Sequence, residues 1–404
     1  MSVEREYKTQ NTKVQRQQGQ LYPQKIDLMT LSRSTLHAGR VGGQTNTTAM
    51  ANIVVIGAGV AGLTSSLLLA RKYPKIPITI VAKHMPGDSD PEYASPVAGA
   101  DFMPMSSPEN SRWERETWPE LKKLAQYIPE AGIHFQPTRV YKREKDLDEP
   151  GQPGRGQFDD NPWFRSILDD YRELETSELP PGVASGFEFR SVCINTPLYL
   201  GWLVGQCRRA GVVLRRGTVE HVSDARYYSH HDNIANIVVN CTGLGSSRLG
   251  GVEDPQMTPI RGQVVLIRNE IDSMYTISGT DDGPEEISYC MARASGGGTV
   301  VGGSYQMHNW DTTPDLDMSA RMLRRIRELV PSLGRGKGVT DLDIIRHAVG
   351  LRPYRLTGVR VERELLPDGL HVVHNYGHSG WGFQGSYGCG NRVLELVAEI
   401  VLAL

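Results

Sequence analysis

The sequence is poor in cysteine, has no long apolar run and lacks an excess of basic charge. Its five cysteines among 404 residues are scattered, with no CxxC pair, which is typical of free thiols in a reducing compartment. No segment has 18 consecutive apolar residues, so no transmembrane helix is predicted. The formal net charge is −2, whereas a nucleic-acid surface is normally strongly basic. The sequence therefore predicts neither a membrane span nor a nucleic-acid partner, and it leaves open whether any two cysteines pair.

Residues 1–49 differ in composition from the rest of the chain. They contain seven Lys or Arg, three Asp or Glu and seven Gln, with little apolar periodicity. This composition is typical of a disordered extension. A cleaved targeting segment is an alternative, because such segments are rich in Arg and Ser and poor in acids. A third interpretation is an upstream extension, since Met50 directly precedes the first predicted strand.

The segment ANIVVIGAGVAGLTSSLLLARKYPKIPITIVAKH, residues 51–84, predicts a strand, a glycine turn, a helix and a second strand. Gly57, Gly59 and Gly62 form GxGxxG between the strand and the helix, the context in which this motif indicates dinucleotide binding. The first glycine permits a tight turn, and the second lets the backbone approach a pyrophosphate. The third lets the helix pack on the strand. The pyrophosphate would lie at the helix N-terminus.

The end of the second strand departs from the usual dinucleotide-binding pattern. An acidic residue about twenty positions after the glycines usually binds the ribose hydroxyls. Here the strand ends in Lys83 and His84. Basic residues at this point could accommodate the 2′-phosphate of NADP, or they could contact the adenine side of FAD. The residues by themselves leave both cofactors open.

The remainder of the chain predicts a mixed α/β fold. Residues 108–187 appear irregular, because Trp and Pro recur, and residues 142–157 are predicted to form an exposed polar loop. Residues 252–310 predict antiparallel strands. Further strands are expected at 211–219, 236–243 and 371–377, and helices at 196–211, 316–333 and 392–404.

Several motifs recur together, in this order, in one enzyme family: NCTGLGSS (240–247), RGQVVLI (261–267), GLRPYR (350–355) and HNYGHSGWG (374–382). YASPVAGADF (93–102) and GGSYQMHNWD (302–311) fit the same family. The chain resembles the D-amino-acid oxidases, FAD enzymes of the wider group that includes D-aspartate oxidase. The resemblance extends over about residues 51–400.

The resemblance implies an α/β fold class (α+β overall) with a Rossmann-like FAD-binding domain and a second, mainly antiparallel-sheet substrate domain. The FAD-binding domain would be discontinuous and consist of residues 50–107, 188–249 and 350–404. Residues 108–187 and 250–349 would form the substrate domain.

Four residues match the family's catalytic positions. Arg352 matches the arginine that binds the substrate α-carboxylate, for which a planar fork of donors is suited. Tyr289 matches the tyrosine whose hydroxyl meets the same carboxylate. Gly380 matches the position whose carbonyl accepts a hydrogen bond from the amine, and Gln384 lies in the stretch along the isoalloxazine ring. Without the resemblance, an arginine is more often a surface charge and a strand tyrosine is more often part of the core.

The resemblance implies FAD as the cofactor. It predicts the following cofactor-binding residues: Gly57, Ala58, Gly59, Val60, Gly62, Lys83, His84, Ser95, Ala98, Gly99, Thr242, Gly243, Arg352, Ser379, Gly380, Gly382, Phe383 and Gln384. Glycines near the C-terminus would let main-chain atoms reach substrate and flavin where a side chain would collide. The spacing of His371, His374 and His378 suggests metal binding, but rings on a strand that enters a loop would not converge. We therefore predict no metal site.

The implied reaction is oxidation of a D-amino acid to an imino acid, which hydrolyses to a 2-oxo acid and ammonia while oxygen becomes hydrogen peroxide. D-aspartate enzymes place an arginine in the loop before Tyr289, but here residues 279–288, GTDDGPEEIS, contain no Lys or Arg. Glu285 stands where many neutral-substrate enzymes have a second tyrosine. We expect neutral D-amino acids as substrates, and basic ones if Glu285 points inward. D-aspartate oxidase, glycine or sarcosine oxidase and an NADP-dependent reductase are the alternatives.

The expected partners are small-molecule D-amino acids and molecular oxygen, and a homodimer is compatible with the sequence. The resemblance implies an intracellular, peroxisomal location. The sequence ends in EIVLAL, however, and does not show a Ser-Lys-Leu type signal.

Overall fold

The computed structural model describes residues 51–147, 156–333 and 341–404. The predicted extension at 1–49 lies outside these residues, and so do residues 148–155 of the predicted loop at 142–157. The helices are α1 (Val60–Lys72), α2 (Arg112–Tyr127), α3 (Thr196–Arg209), α4 (Leu316–Leu329) and α5 (Ser386–Val401). The strands are β1 (Ile53–Ile56), β2 (Ile78–Ala82), β3 (Ala100–Asp101), β4 (Ile133–Arg143), β5 (Asp169–Glu173), β6 (Val183–Ile194), β7 (Val213–Arg216), β8 (Ile237–Asn240), β9 (Met257–Ile267), β10 (Met274–Ile277), β11 (Glu286–Ala292), β12 (Thr299–Ser304), β13 (Gln306–Met307), β14 (Ile344–Arg355), β15 (Arg363–Leu365) and β16 (His371–His374).

The first sheet has six strands in the order β15-β16-β8-β1-β2-β7. All neighbours are parallel except β15 and β16. Every residue of β1 and β2 is buried, and all but Thr79 are apolar, because parallel sheets are covered on both faces. The direction in which successive strands are added to the sheet reverses at β1: β2 and β7 lie on one side of it, and β8 and β16 lie on the other. Ligands of open α/β sheets bind at the carboxyl ends of the strands at this point.

The second sheet has ten strands and is mostly antiparallel. Its main path is β13-β9-β12-β11-β10-β4-β6-β3, with β14 paired to β9 and β5 paired to β6. The pair β10–β4 is parallel. Helix α4 covers one face: Met322 and Ile326 pack in a cluster with Val265, Cys290 and Val301. Because side chains alternate along a strand, the neighbours of these strand residues point to the opposite face.

The stretch 108–187 is more regular than its composition predicted. It contains helix α2 and strands β4 and β5, and it enters β6. In α2, Trp118, Leu121 and Leu124 are buried at helical spacing, which stabilises the helix even though Pro119 removes one backbone donor. The prediction of irregular structure was wrong because the Trp and Pro content concealed this apolar face.

The strand assignments bear on the predicted domain boundaries. All six strands of the first sheet fall in the segments assigned to FAD binding. Strands β3 and β14 and the end of β6, however, belong to the ten-stranded sheet although their residues fall within or extend into those segments. The exact boundaries therefore stay a prediction.

The five cysteines are all free and buried. Burial raises the pKa of the Cys207 thiol to about 12, and that of Cys290 likewise to about 12. In the described part of the chain, no helix combines the length and apolar character needed to cross a bilayer.

Gly388 in α5 tests how closely this helix packs against α2. A Cβ added at Gly388 would lie 2.4 Å from the backbone oxygen of Trp113. We expect Gly388→Ala to lower the free energy of unfolding by about 1–3 kcal/mol through overpacking. Gly201 in α3 is exposed, with no atom within 4 Å of an added Cβ. Gly201→Ala should raise stability by up to about 1 kcal/mol. Denaturant unfolding at equal FAD saturation measures the free energy of unfolding of both variants. The same change in Gly388→Ala and Gly201→Ala would contradict the packing argument.

Candidate active site

One cavity of about 530 Å³ brings together the residues predicted from the sequence. It is lined by every predicted catalytic and cofactor-binding residue except Gly62. The lining comes from the carboxyl ends of β1, β2 and β8, from the face of the ten-stranded sheet opposite α4, and from residues 375–384. The cavity therefore lies where both sheets contribute to its wall.

The glycine turn after β1 forms one end of the cavity. Gly57 has a φ of +109°, and an added Cβ there would lie 2.4 Å from the backbone oxygen of Cys241, at the end of β8. A Cβ at Gly59 would lie 3.1 Å from Ser95 Oγ, which accepts a hydrogen bond from Val60 N. The N-cap residue of α1, Gly59, has no side chain to cap the helix. The first-turn N–H groups after Val60 are thus suited to an anion.

Gly62 has the packing function expected of the third glycine. A Cβ there would lie 2.0 Å from the backbone oxygen of Gly57. The residue does not line the cavity. Its contribution is therefore to bring α1 against the turn, which positions the helix N-terminus.

Lys83 and His84 follow β2 and line the cavity. His84 lies beside two carboxylates, with Nδ1 4.0 Å from Asp88 and Nε2 3.9 Å from Asp90. Asp88 also binds Arg216, whose hydrogen bond lowers the pKa of Asp88 to about 2. Two carboxylates at this point would repel the 2′-phosphate of NADP, a cofactor that the residues by themselves left open.

Arg352 lies on β14, opposite Ile260 of β9. Its Nη1 donates a 2.9 Å hydrogen bond to the carbonyl oxygen of Ser304. Its guanidinium lies over Gly262, where an added Cβ would be 2.3 Å from Nη1. A guanidinium has five N–H donors, so this fixed group retains donors for a carboxylate in the cavity.

Tyr289 lies on β11 and presents its ring to the same cavity wall. Added Cβ atoms at Gly302 and Gly99 would lie 2.1 Å and 3.2 Å from ring atoms of Tyr289. Burial raises the pKa of the Tyr289 hydroxyl, and the nearby Arg352 guanidinium opposes the rise. The hydroxyl is therefore protonated at neutral pH and able to donate a hydrogen bond.

The segment between β16 and α5 also lines the cavity, and it adjoins the start of α1: a Cβ added at Gly382 would lie 3.8 Å from Val60 Cγ1. A short helical turn spans Ser379–Trp381, and a Cβ added at Gly380 would lie 3.5 Å from Arg352 Cδ. The buried ring of His378 bonds Asn375 Oδ1, and burial lowers the pKa of His378 to about 4. This neutral histidine holds the segment in place. His374 bonds instead to Asn240 and Glu364.

Five buried polar atoms of the cavity lining have no hydrogen-bond partner within the described residues: His84 Nε2, Asp101 Oδ2, Gln157 Oε1, Ser379 Oγ and Gln384 Oε1. Buried polar atoms normally have a partner. These atoms, like the first-turn N–H groups of α1, are therefore available to a bound ligand. The residues fit a long, polar ligand with a central pyrophosphate, as FAD has.

Several lining residues were missed from the sequence. Tyr305 follows β12, and its ring centroid lies 5.6 Å from Arg352 Cζ. Tyr93 donates a 2.7 Å hydrogen bond to the carbonyl of Ala58. Asp101 is a buried carboxyl in the wall. Glycines inside strands, such as Gly262 in β9, could have indicated this wall from the sequence, because such a glycine often marks the close approach of a ligand or another chain segment.

The acids of the 279–288 loop point away from the cavity or are ion-paired. Asp281 binds Lys145 at 2.6 Å, Asp282 binds Arg324 at 2.8 Å, and Glu286 binds Arg321 at 2.6 Å. Glu285 is exposed, accepts a 3.2 Å hydrogen bond from Gln306 and does not line the cavity. Basic D-amino acids were expected as substrates only if Glu285 points into the cavity, and Glu285 does not.

Gly59 provides a test of the glycine turn. We expect Gly59→Val to yield protein purified without flavin, because the branched side chain would occupy the space before Ser95 and the helix N-terminus. The measurement is the ratio of flavin to protein absorbance after gel filtration. Gly201→Val, on the exposed face of α3, should retain the cofactor. Stoichiometric, tightly held FAD in Gly59→Val would contradict this site.

Comparison with known proteins agrees with the geometry. Residues 52–396 match the model of the FAD dependent oxidoreductase family, DAO. The chain is 51% identical over 350 residues to a D-amino-acid oxidase of Fusarium vanettenii, covering 86% of this chain and 97% of the relative. It is 34% identical to a D-amino-acid oxidase of Schizosaccharomyces pombe, covering 87% and 98%.

Among solved structures, glycine oxidase from Bacillus cereus superimposes with a TM-score of 0.66 at 16% identity, covering 87% of this chain and 95% of that one. This confirms the predicted fold class. The chain belongs to the family of FAD dependent oxidoreductases that includes the D-amino-acid oxidases, and FAD is its cofactor.

Proposed function

We propose that this protein oxidises neutral D-amino acids with oxygen, giving 2-oxo acids, ammonia and hydrogen peroxide. The observation that carries the proposal is the meeting of Arg352, Tyr289 and the backbone of Gly380 at one cavity wall. These are the groups needed to hold an α-carboxylate and an α-amine in one orientation. The sequence identity to named D-amino-acid oxidases supports the same conclusion.

Arg352 and Tyr289 bind the substrate carboxylate in this proposal. The hydrogen bond to Ser304 and the space over Gly262 fix the guanidinium before the substrate arrives. A prearranged donor fork loses little conformational freedom on binding. Tyr289 adds a neutral O–H donor, and the Tyr305 ring beside Arg352 helps to exclude water.

Gly380 binds the substrate amine through its backbone carbonyl. Its position beside Arg352 supports an amine site and a carboxylate site on the same side of the cavity. The carboxylate and amine contacts together fix the direction of the substrate Cα–H bond. Holding a reacting bond in the correct orientation can supply a large part of an enzyme's rate enhancement. No side-chain base is required if the amine reacts in its neutral form. Bound FAD supplies the redox chemistry, the two-electron oxidation of the substrate and the reaction with oxygen.

The charges around the 279–288 loop support neutral over acidic substrates. The cations that approach this loop are bound to its own carboxylates, as Lys145 is to Asp281 and Arg324 to Asp282. Partial burial of Asp282 acts to raise its pKa, but hydrogen bonds from Arg325 and Arg324 lower it overall. The side-chain carboxylate of D-aspartate would therefore meet acids whose cations are already paired, which disfavours it.

The peroxisomal location implied by the family resemblance stays a proposal, and so does a homodimer.

The substrate class is tested by peroxide release over a panel of D-alanine, D-aspartate, glycine, sarcosine and L-alanine. We expect D-alanine to have a catalytic efficiency at least about tenfold above D-aspartate, because an unpaired buried charge costs about 1.4 kcal/mol or more. L-Alanine should be inert. A preference for D-aspartate, or for glycine and sarcosine, would favour the corresponding alternative oxidase instead.

The carboxylate site is tested by Arg352→Ala. Loss of one partner of a buried charge pair costs about 2–5 kcal/mol, or about 30- to several-thousand-fold in catalytic efficiency. We expect this loss for D-alanine, with FAD still bound. Arg268→Ala is the control, because Arg268 is exposed and pairs with Asp343. Near-normal turnover by Arg352→Ala would contradict the proposed carboxylate contact.

A further inference from the structure

Asp101 is a buried acid in the wall of the active-site cavity to which the proposed reaction gives no role. It ends β3, its exposed fraction is 7%, and it lines the cavity. Gly99 and Met103, two residues before and after it, also line the cavity. This alternation indicates that residues 99, 101 and 103 present one side of the chain to the ligand space.

The Asp101 carboxyl is not neutralised by the protein. Its Oδ2 has no hydrogen-bond partner, and within residues 51–147, 156–333 and 341–404 no cation pairs with it. Burial raises the pKa of Asp101 to about 7, and its own backbone N–H opposes the rise. An unpaired buried carboxylate is costly, and a cation placed beside it gains a strong partner. The carboxyl is therefore suited to a positive group that arrives with the ligand.

Asp101 lies in the same cavity lining as Tyr289 and Arg352. A Cβ added at Gly99, on the side of the chain that Asp101 also presents to the cavity, would lie 3.2 Å from the Tyr289 ring. Burial raises the pKa of the Tyr289 hydroxyl, the Arg352 guanidinium lowers it and the Asp101 carboxylate raises it. A substrate with its α-carboxylate at Arg352 and Tyr289 would therefore share the cavity with the Asp101 carboxylate.

We propose that Asp101 determines specificity by binding the cationic side chain of basic D-amino acids such as D-lysine. This inference rests on the proposed oxidase function and deepens it. It reassigns to Asp101 the cation partner that the sequence suggested at Glu285, because Glu285 is exposed and outside the cavity lining. The same carboxylate adds to the exclusion of D-aspartate and D-glutamate by repelling their side chains.

The test compares D-lysine with D-norleucine, which has the same carbon chain without the ammonium group. At about pH 8.5 Asp101 is ionised, since its pKa is about 7. We expect the wild-type enzyme to have a higher catalytic efficiency for D-lysine than for D-norleucine. In Asp101→Asn, the D-lysine to D-norleucine ratio should fall about tenfold or more. Flavin content and the circular dichroism spectrum report whether the variant is folded.

Glu285→Gln is the matched control, an acid removed from the neighbouring loop outside the cavity lining. It should leave the D-lysine to D-norleucine ratio within about twofold. A fall of the ratio in Glu285→Gln but not in Asp101→Asn would overturn the assignment. So would an equal loss for both substrates in Asp101→Asn, which would place the carboxylate at the α-amine.

The wild-type measurement keeps the inference testable if Asp101→Asn does not fold. A D-lysine to D-norleucine ratio below one would then contradict it, and a ratio well above one would support it. Failure of the inference is also distinct from failure of the proposed function. If neutral D-amino acids release peroxide and D-lysine has no advantage, only the role of Asp101 is wrong. If no D-amino acid is oxidised, the proposed function itself is wrong.

Discussion

The architecture of the cavity depends on a steric constraint, the close approach of three backbone segments beside β1. An added Cβ would lie 2.4 Å from the Cys241 oxygen at Gly57, and 2.0 Å from the Gly57 oxygen at Gly62. The turn, the helix and the end of β8 are therefore in backbone contact. Because this contact leaves no room for side chains, the N-terminus of α1 opens directly onto the cavity. The cofactor site follows from that opening.

The same constraint shapes the substrate wall in the other sheet. Gly262 lies under the Arg352 guanidinium, and Gly302 lies under the Tyr289 ring. Both glycines are inside strands, where glycine is normally destabilising. Their absence of a side chain lets two large polar groups lie flat against the sheet instead of projecting away from it. The hydrogen bond from Arg352 to Ser304 then fixes the wall.

Ion pairs determine which charged side chains near the cavity are neutralised by the protein itself. Three acids of the loop at 279–288, Asp281, Asp282 and Glu286, are neutralised by cations of α4 and of the segment after β4, as in the pair of Glu286 with Arg321. Such pairs change the local potential little, because each charge is cancelled nearby. Arg352 and Asp101 both line the cavity, and within the described residues neither forms an ion pair with the protein. The cavity therefore combines one site for an anion with one for a cation.

The sequence by itself determined the order of most elements, the glycine turn and the residues of the family motifs, because short-range periodicity and motif spacing specify local structure. It did not predict α2, whose apolar face was concealed by Trp and Pro, nor the assignment of β14 to the ten-stranded sheet. Only the tertiary structure placed Tyr305 beside Arg352, turned Glu285 to solvent and buried Asp101 in the wall. These outcomes depend on strand pairing between distant segments, which no local pattern records.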